Sequence, residues 1–483
     1  MSSSVIKGLD PHKVWFWFEK ISKIFRKSGK EQQIIDYINK IAGQSGLEVI
    51  LDKSYILVRK PASSASFDNV PSTCLQAHLD MVCVGPDDYQ WENGVELVRD
   101  NGYIRANNTS LGADNGIGIA AMLALMTSTD LQHGPLEFLF TTEEEIGLVG
   151  VNKLPDNLLT SKYLINLDSE RVDEICIGCA GGKQAYISMR LESEYCNVGN
   201  IFSVEINGLL GGHSGLEIHL DRSNAIKMLA RLALKLSNNA EYTIIPIDIS
   251  GGTAMNVIPS EAKVTFIALA EELDIKQMVT KFFDKERLLL IPKEQDSFTY
   301  ELTWQGKIED RQRRLASNLL NLLNALPHGV ISQDSDFDII RTSVNLARIY
   351  IDESQADIIM SLRSSSDTEM RHLEQLLKSI CDLANVKISF PSAYPSWEPD
   401  YQSTLLESAQ TLYWQIFNHA SPKITVVHAG LECGFLLAKN TGMEAISIGP
   451  NILDVHSVNE RVDIESVSKF WDFLIKLLEA LTK

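Results

Sequence analysis

Apolar residues along this chain follow two alternating periods. Val14, Phe18, Ile21 and Ile24, then Ile34, Ile35, Tyr37, Ile38 and Ile41, recur at near-helical spacing, which predicts amphipathic helices between Pro11 and Gly43. Short apolar runs follow at Leu47–Leu51, Tyr55–Val58, Ser72–Met81, Leu136–Thr141 and Tyr163–Leu167, each of strand length. Between the third and fourth lies Asn108–Met126, NTSLGADNGIGIAAMLALM, an acid in a glycine-bracketed turn running straight into an apolar helix. Ile119, Met122, Leu123 and Met126 mark the face of that helix. Strands alternating with helices, each strand ending in a polar cluster, predict an α/β sheet whose site lies at the strand C-termini.

After CAGGK at Cys179–Lys183 the pattern becomes more polar and more strictly alternating. It predicts strands at Ala185–Leu191, Ser203–Asn207, Tyr242–Ile249, Lys263–Ala268, Ser343–Asp352 and Ala356–Leu362. Helices are predicted at Ala225–Leu236, Glu272–Thr280, Arg311–Leu326 and Met370–Leu383. This reads as an inserted α+β domain over residues 186–395, with room for two similar halves although no firm repeat is visible. The first domain, residues 1–185, resumes over 396–483, with helices near Leu405–Phe417 and Val467–Leu481 and strands at Ile424–Val427 and Glu444–Ile448.

Composition narrows the class. With 483 residues and 45% hydrophobic content the chain can bury a large core. A net charge of -19 argues against nucleic acid or an anionic membrane as partner. Seven cysteines spread over a long chain read as reduced thiols, and the isolated Cys176/Cys179 pair lacks the context of a redox or metal motif. The N-terminal stretch carries Lys and Asp within its apolar portion and reads as no signal peptide, and no run approaches a membrane span, so a cytoplasmic location is expected.

The polar residues at strand ends and turns then stand out: His78 and Asp80 in HLD, Asp114, Glu143–Glu145 in TEEEIG, Asp168 in NLDSE and His456 beyond the last strand. Taken singly, Asp114 is an ordinary helix cap and three adjacent glutamates are a solvated loop. Taken together, imidazoles and carboxylates distributed over one sheet edge are the composition of a two-metal site suited to Zn²⁺, Mn²⁺ or Co²⁺.

These residues, with GADNGIG at Gly112–Gly118, GGHSG at Gly211–Gly215, HAGLECG at His428–Gly434 and SIGPNILDVHS at Ser447–Ser457, resemble the co-catalytic zinc family of aminoacylases, carnosinases and dipeptidases over essentially the whole chain. The resemblance implies an α/β, mixed-sheet zinc-peptidase catalytic domain with an inserted α+β lid. It makes Asp114 a ligand bridging two metal ions, most simply zinc with cobalt or manganese as alternatives. His78 and Asp168 would complete one site, Glu145 and His456 the other. Asp80 would orient His78, and Glu144 would be the general base. The third glutamate leaves Glu143/Glu144 in competition with Glu144/Glu145 for the base and ligand roles, the following Ile-Gly favouring the second pair. In the lid, His213 resembles an oxyanion donor, Arg363 a carboxylate-binding arginine, and Asn256 a further substrate contact. His428 is left open.

The implied reaction is hydrolysis of a small peptide by a water shared between two ions, deprotonated by Glu144, with the oxyanion held by metal and His213. In the family the peptide after the bridging acid is cis, which is expected for Asp114–Asn115. The family's dipeptidase-like members carry Asp where its aminoacylases carry Glu, so Asp168 implies unblocked dipeptides, Xaa-His among them. An N-acyl-amino-acid amidohydrolase is the near alternative, and a metal-free binding or scaffold relative is the alternative of another class. A homodimer is left open, as is whether the lid would form its surface.

Overall fold

The computed structural model of the chain describes residues 5–191, 195–308, 312–315, 317–334 and 339–483. It divides into two compact units, one built from Met1–Cys179, Trp397–Val426 and Leu431–Lys483, the other from Ala180–Ser396 and Val427–Gly430.

The first unit centres on an eight-stranded mixed sheet. Four neighbouring strands, Leu136–Thr141, Thr73–His78, Tyr163–Asn166 and Glu444–Ser447, run parallel. The first three of these are buried along their whole length, which is why the sequence shows them as continuous apolar runs rather than as alternation. Tyr55–Lys60 and Glu48–Leu51 extend one side antiparallel, and Glu174–Cys179 continues the other. The helix Ala113–Thr127 is apolar all round and buried from Asn115 to Met126, so it forms part of the core rather than a surface. Helices His12–Ile21, Gln32–Gln44, Thr404–Ile416 and Ile464–Ala480 each bury one face in the same core. A small sheet of Leu97–Asp100, Tyr103–Ala106, Arg461–Asp463 and Ile452–Leu453 was not visible in the apolar pattern, its strands being short and half-exposed.

The second unit is built on an antiparallel sheet of ten strands, with Tyr195–Cys196 and Gln312–Arg313 forming a separate pair. Thr299–Lys307, Asn200–Asn207, Ala262–Ala268 and Ile244–Gly251 form one half; Ile339–Ile351, Gln355–Ser364 and Gly181–Arg190 lead the other, and Gly251 pairs with Ile349 at the seam. Helices Ala225–Ser237, Glu272–Arg287, Ser317–Ala325 and Asp367–Leu383 bury apolar faces against the shared core. The helix expected over Arg311–Leu326 is observed only from Ser317; Arg311 and Ala316 lie outside the described residues. The strand Thr299–Lys307 went unpredicted because most of its positions face solvent, leaving no apolar stripe to read.

None of the seven cysteines forms a disulfide within the described residues. Burial pushes the Cys179 thiol up to about 12, the opposite of the depressed value a redox-active CxxC needs.

Candidate metal centre

Register brings the site together. His78 pairs with Thr141, Gln76 with Asn166, and Asn166 with Ser447, so the parallel strands release their chains at one edge. The residues just beyond are Asp80, the three glutamates and Asp168, and a longer loop after Ser447 carries His456 back. Asp114 arrives from the turn opening the buried helix, where Gly112 has φ +67° and Asp114 and Asn115 depart from helical angles. The Asp114–Asn115 peptide is cis. A side chain at Gly112 would collide with the Arg26 guanidinium and the Met81 sulfur, so the turn requires glycine on both counts.

One oxygen of Asp114 lies 3.0 Å from His78 Nε2, and the other lies 3.3 Å from His456 Nε2. Asp168 Oδ1 is 3.2 Å from the same His78 nitrogen. Glu145 Oε2 is 2.9 Å from His456 Nε2. Ligand-type atoms of His78, Asp114 and Asp168 lie within 4.8 Å of one another, as do those of Asp114, Glu145 and His456, and those of His78, Glu144 and Glu145. Glu143 turns elsewhere: its carboxylate pairs with Lys153 at 2.8 Å, which leaves Glu144 and Glu145 as the two glutamates of the cluster.

The supports around these residues go beyond the Asp80–His78 contact expected from the sequence. The Asp80 carboxylate accepts the backbone N–H groups of Glu144 at 3.0 Å and Glu145 at 3.1 Å and the Ser28 hydroxyl at 2.8 Å, besides lying 3.5 Å from His78 Nδ1. Arg26, fully buried, donates to the carbonyls of Leu79, Asp80 and Gly112, tying the histidine strand to the Asp114 turn. Glu460 caps the same turn, accepting from Leu111, Gly112 and Ala113 at 2.7–2.9 Å. Asn115 donates to Asp168 Oδ1 at 2.6 Å. A buried row beside the candidate ligands links Glu432 to Gln76, Gln76 to Asn166, and Asn166 to Ser447. Glu432 and Asn115 sit inside motifs already legible in the sequence; Arg26 has no local signal at all.

The electrostatics suit cations. Burial would raise Asp114, yet its two histidine partners hold it low, and hydrogen bonds donated to the Asp114 and Glu145 carboxylates raise His456 to about 10. Burial pushes Glu144 well above the carboxylate range; His78 opposes this, while Asp168, Glu432 and Glu145 add to it. Each imidazole is thus pressed to carry a positive charge between carboxylates, and the oxygen and nitrogen donors are those that borderline divalent metals accept. The residues present therefore fit a pair of metal ions.

In the second unit, His213 Nδ1 accepts from the backbone N–H of Gly215 at 3.2 Å and Leu216 at 3.0 Å, so the neutral ring carries its proton on Nε2. Asn256 is exposed and lies beside it, its carbonyl accepting from Ser214 at 2.8 Å. Arg363 is 8% exposed, on the strand Gln355–Ser364. His428 donates to or accepts from Ser343 Oγ at 2.7 Å.

Two histidines here carry a pH dependence. Burial, with Arg363 adding and the Ile340 carbonyl opposing, lowers His428 to about 3, and burial with Lys227 lowers His328 to about 4. The unfolded chain takes up these protons from about pH 6.5 downward while the folded unit does not, so a stability contribution that is complete above 6.5 is lost as pH falls through about 4. Thermal unfolding temperature is expected to fall from pH 7 to pH 4, with His328→Gln flattening the slope; an unaltered slope in that variant would contradict the assignment.

Residues 74–480 match the profile described as Peptidase family M20/M25/M40. The chain is 36% identical over 489 aligned residues to the cytosol non-specific dipeptidase of Escherichia coli K12, covering 99% of each. Its structure is similar to that of aminoacylhistidine dipeptidase from Vibrio alginolyticus, with a TM-score of 0.88, 31% identity and 99% and 98% of the two chains covered. The aminopeptidase PepT from Bacillus cereus shares the fold at a TM-score of 0.56 and 16% identity, over 98% of this chain and 100% of the other.

Proposed function

The chain belongs to peptidase family M20/M25/M40, and from that premise we propose that it is a metal-dependent dipeptidase acting on unblocked dipeptides, Xaa-His among them, in the cytoplasm. The observation that carries the proposal is Asp114, with one carboxylate oxygen toward each of two histidines that belong to separate ligand groups. The similarity to a non-specific dipeptidase of Escherichia coli and an aminoacylhistidine dipeptidase of Vibrio supports the substrate class.

His78, Asp114 and Asp168 would hold one divalent ion and Asp114, Glu145 and His456 the other, zinc being the first choice, and such a pair supplies an acidified water and a polarised carbonyl. Glu144 takes the proton of the attacking water and returns it to the leaving amine, its carboxylate lying in one group with His78 and Glu145. Asp80 keeps that glutamate in position by accepting its backbone N–H. His213 presents Nε2–H to the developing oxyanion, since its other nitrogen is occupied as an acceptor. Arg363 takes the terminal carboxylate of the dipeptide and Asn256 makes a further substrate contact; both, like His213, belong to the second unit, which we propose as the lid.

Parallel assays of free dipeptides and their N-acetylated counterparts test the reading. Free dipeptides are expected to turn over faster by at least about tenfold. Equal or faster turnover of the acetylated compounds would assign the chain as an N-acyl-amino-acid amidohydrolase, and purified protein that binds no metal would assign it as a scaffold relative.

A further inference from the structure

Arg363 is buried, yet among the described residues its guanidinium has no carboxylate partner, and its Nε makes no hydrogen bond. Its side-chain hydrogen bond runs from Nη1 to the phenol oxygen of Tyr394, at 2.8 Å. The register explains how the two meet. Ser343 pairs with Arg363, Arg363 with Gly182, and Gly182 with Tyr394, so the four residues form one row across four adjacent strands. Directly paired residues point to the same face of a sheet, and neighbouring strands lie about 4.8 Å apart. Arg363 and Tyr394 are therefore two strands apart with Gly182 between them. A side chain at Gly182 would overlap the Tyr394 ring. The glycine lets the phenol lie across the middle strand and reach the arginine.

We infer that Tyr394, seated over Gly182, is a positioning residue that aims Arg363 at the substrate carboxylate; this rests on the reading of Arg363 given above. A carboxylate in the place of Tyr394 would neutralise the guanidinium and occupy its fork. A phenol accepts one N–H and leaves the charge uncompensated. Nη1 lies on the same side of the guanidinium as the side-chain stem, so tying it down leaves the Nε and Nη2 edge, which presents two parallel N–H donors matched to a carboxylate. The unpartnered Nε belongs to that edge. A buried cation without a counter-ion is costly, and an arriving carboxylate removes the cost. On the other side of Arg363, Ser343 holds His428 at 2.7 Å, a neutral neighbour that does not compete for the anion. The CAGGK segment, whose glycines mark the start of the second unit, thereby acquires a role: it is the gap through which the arginine is held.

The test compares a dipeptide with its C-terminal carboxamide in the wild type, Tyr394→Phe, Gly182→Ala and Arg363→Gln, with thermal unfolding and metal content measured alongside. Tyr394→Phe keeps the ring and removes the acceptor. It is expected to raise KM for the dipeptide by about tenfold with kcat changed far less, and to shrink the preference for carboxylate over carboxamide by a similar factor. Gly182→Ala should reproduce this by displacing the ring, and Arg363→Gln should abolish the preference. If Arg363→Gln loses the preference while Tyr394→Phe retains it, the positioning role is overturned and the arginine reading stands. If Arg363→Gln retains it, both fall. Equal losses on dipeptide and carboxamide in Tyr394→Phe would mark the tyrosine as a packing residue only and overturn the inference.

Discussion

Glu144→Gln is expected to keep the full metal complement while kcat falls by about 10²–10⁴, the range for loss of a general base. Glutamine preserves size and hydrogen bonding but cannot take a proton. Its neighbour differs in kind. The Glu145 carboxylate faces His456 at 2.9 Å, within the group that also contains Asp114, so Glu145→Gln should lower metal content and recover part of its activity in excess metal. Glu143 offers an internal control, since its carboxylate pairs with Lys153 and Glu143→Gln should leave both metal and turnover near wild type. Metal analysis and steady-state kinetics on the three variants decide the matter. If Glu144→Gln loses metal and Glu145→Gln retains it, the assignment is one residue out of register and the base must be sought at Glu143.

Asp80→Asn should be nearly as damaging for a different reason. Hydrogen bonds from Ser28, Glu144 and Glu145, with His78 close by, all meet on one carboxylate. Burial alone would raise this carboxyl, but His78, Ser28 and the backbone donor of Glu144 hold it at about 2, so it is an acceptor on every side across the working pH range. Asparagine replaces one acceptor oxygen with an NH₂ group, which must then face another donor. Two functions should fail together: the ring orientation of His78, whose outer partners are typically worth about 10–100-fold in metal affinity or activity, and the placement of Glu144, where a shift of about 1 Å can cost about 10²-fold. The expected result is weaker metal binding together with a kcat lowered by about 10²–10³. Ser28→Ala removes one of the same contacts and should cost less than about tenfold. Wild-type metal affinity and turnover in Asp80→Asn would show the aspartate to be a passive neighbour.

What could be read in the sequence was whatever a short stretch decides for itself. The parallel strands of the first unit show as unbroken apolar runs because both of their faces are buried, and their C-terminal ends carry His78, the glutamates and Asp168 wherever the strands come to lie. The buried helix after Asp114 shows through its apolar content, and the glycine of its opening turn through the backbone it demands. Local periodicity likewise identified most strands and helices of the second unit. It failed at Thr299–Lys307 and in the small sheet around Tyr103–Ala106, where exposed faces leave no stripe.

Which of three adjacent glutamates turn toward His78 and His456 is decided by Lys153 and by the Asp80 carboxylate, through contacts that no spacing rule contains. Arg26 binds carbonyls far along the chain, at Leu79, Asp80 and Gly112, and Glu460 caps a turn from the opposite end of it. A buried charge is affordable only where the fold brings it a partner, so its role cannot be assigned before the partner is known. The same holds for Arg363: its identity suggested an anion, but Gly182 and Tyr394 became relevant only once strand register had set them in its row. Sequence determined which chemistry the chain carries at its strand ends; register and burial decided which atoms face one another, because those depend on distances the linear chain does not encode locally.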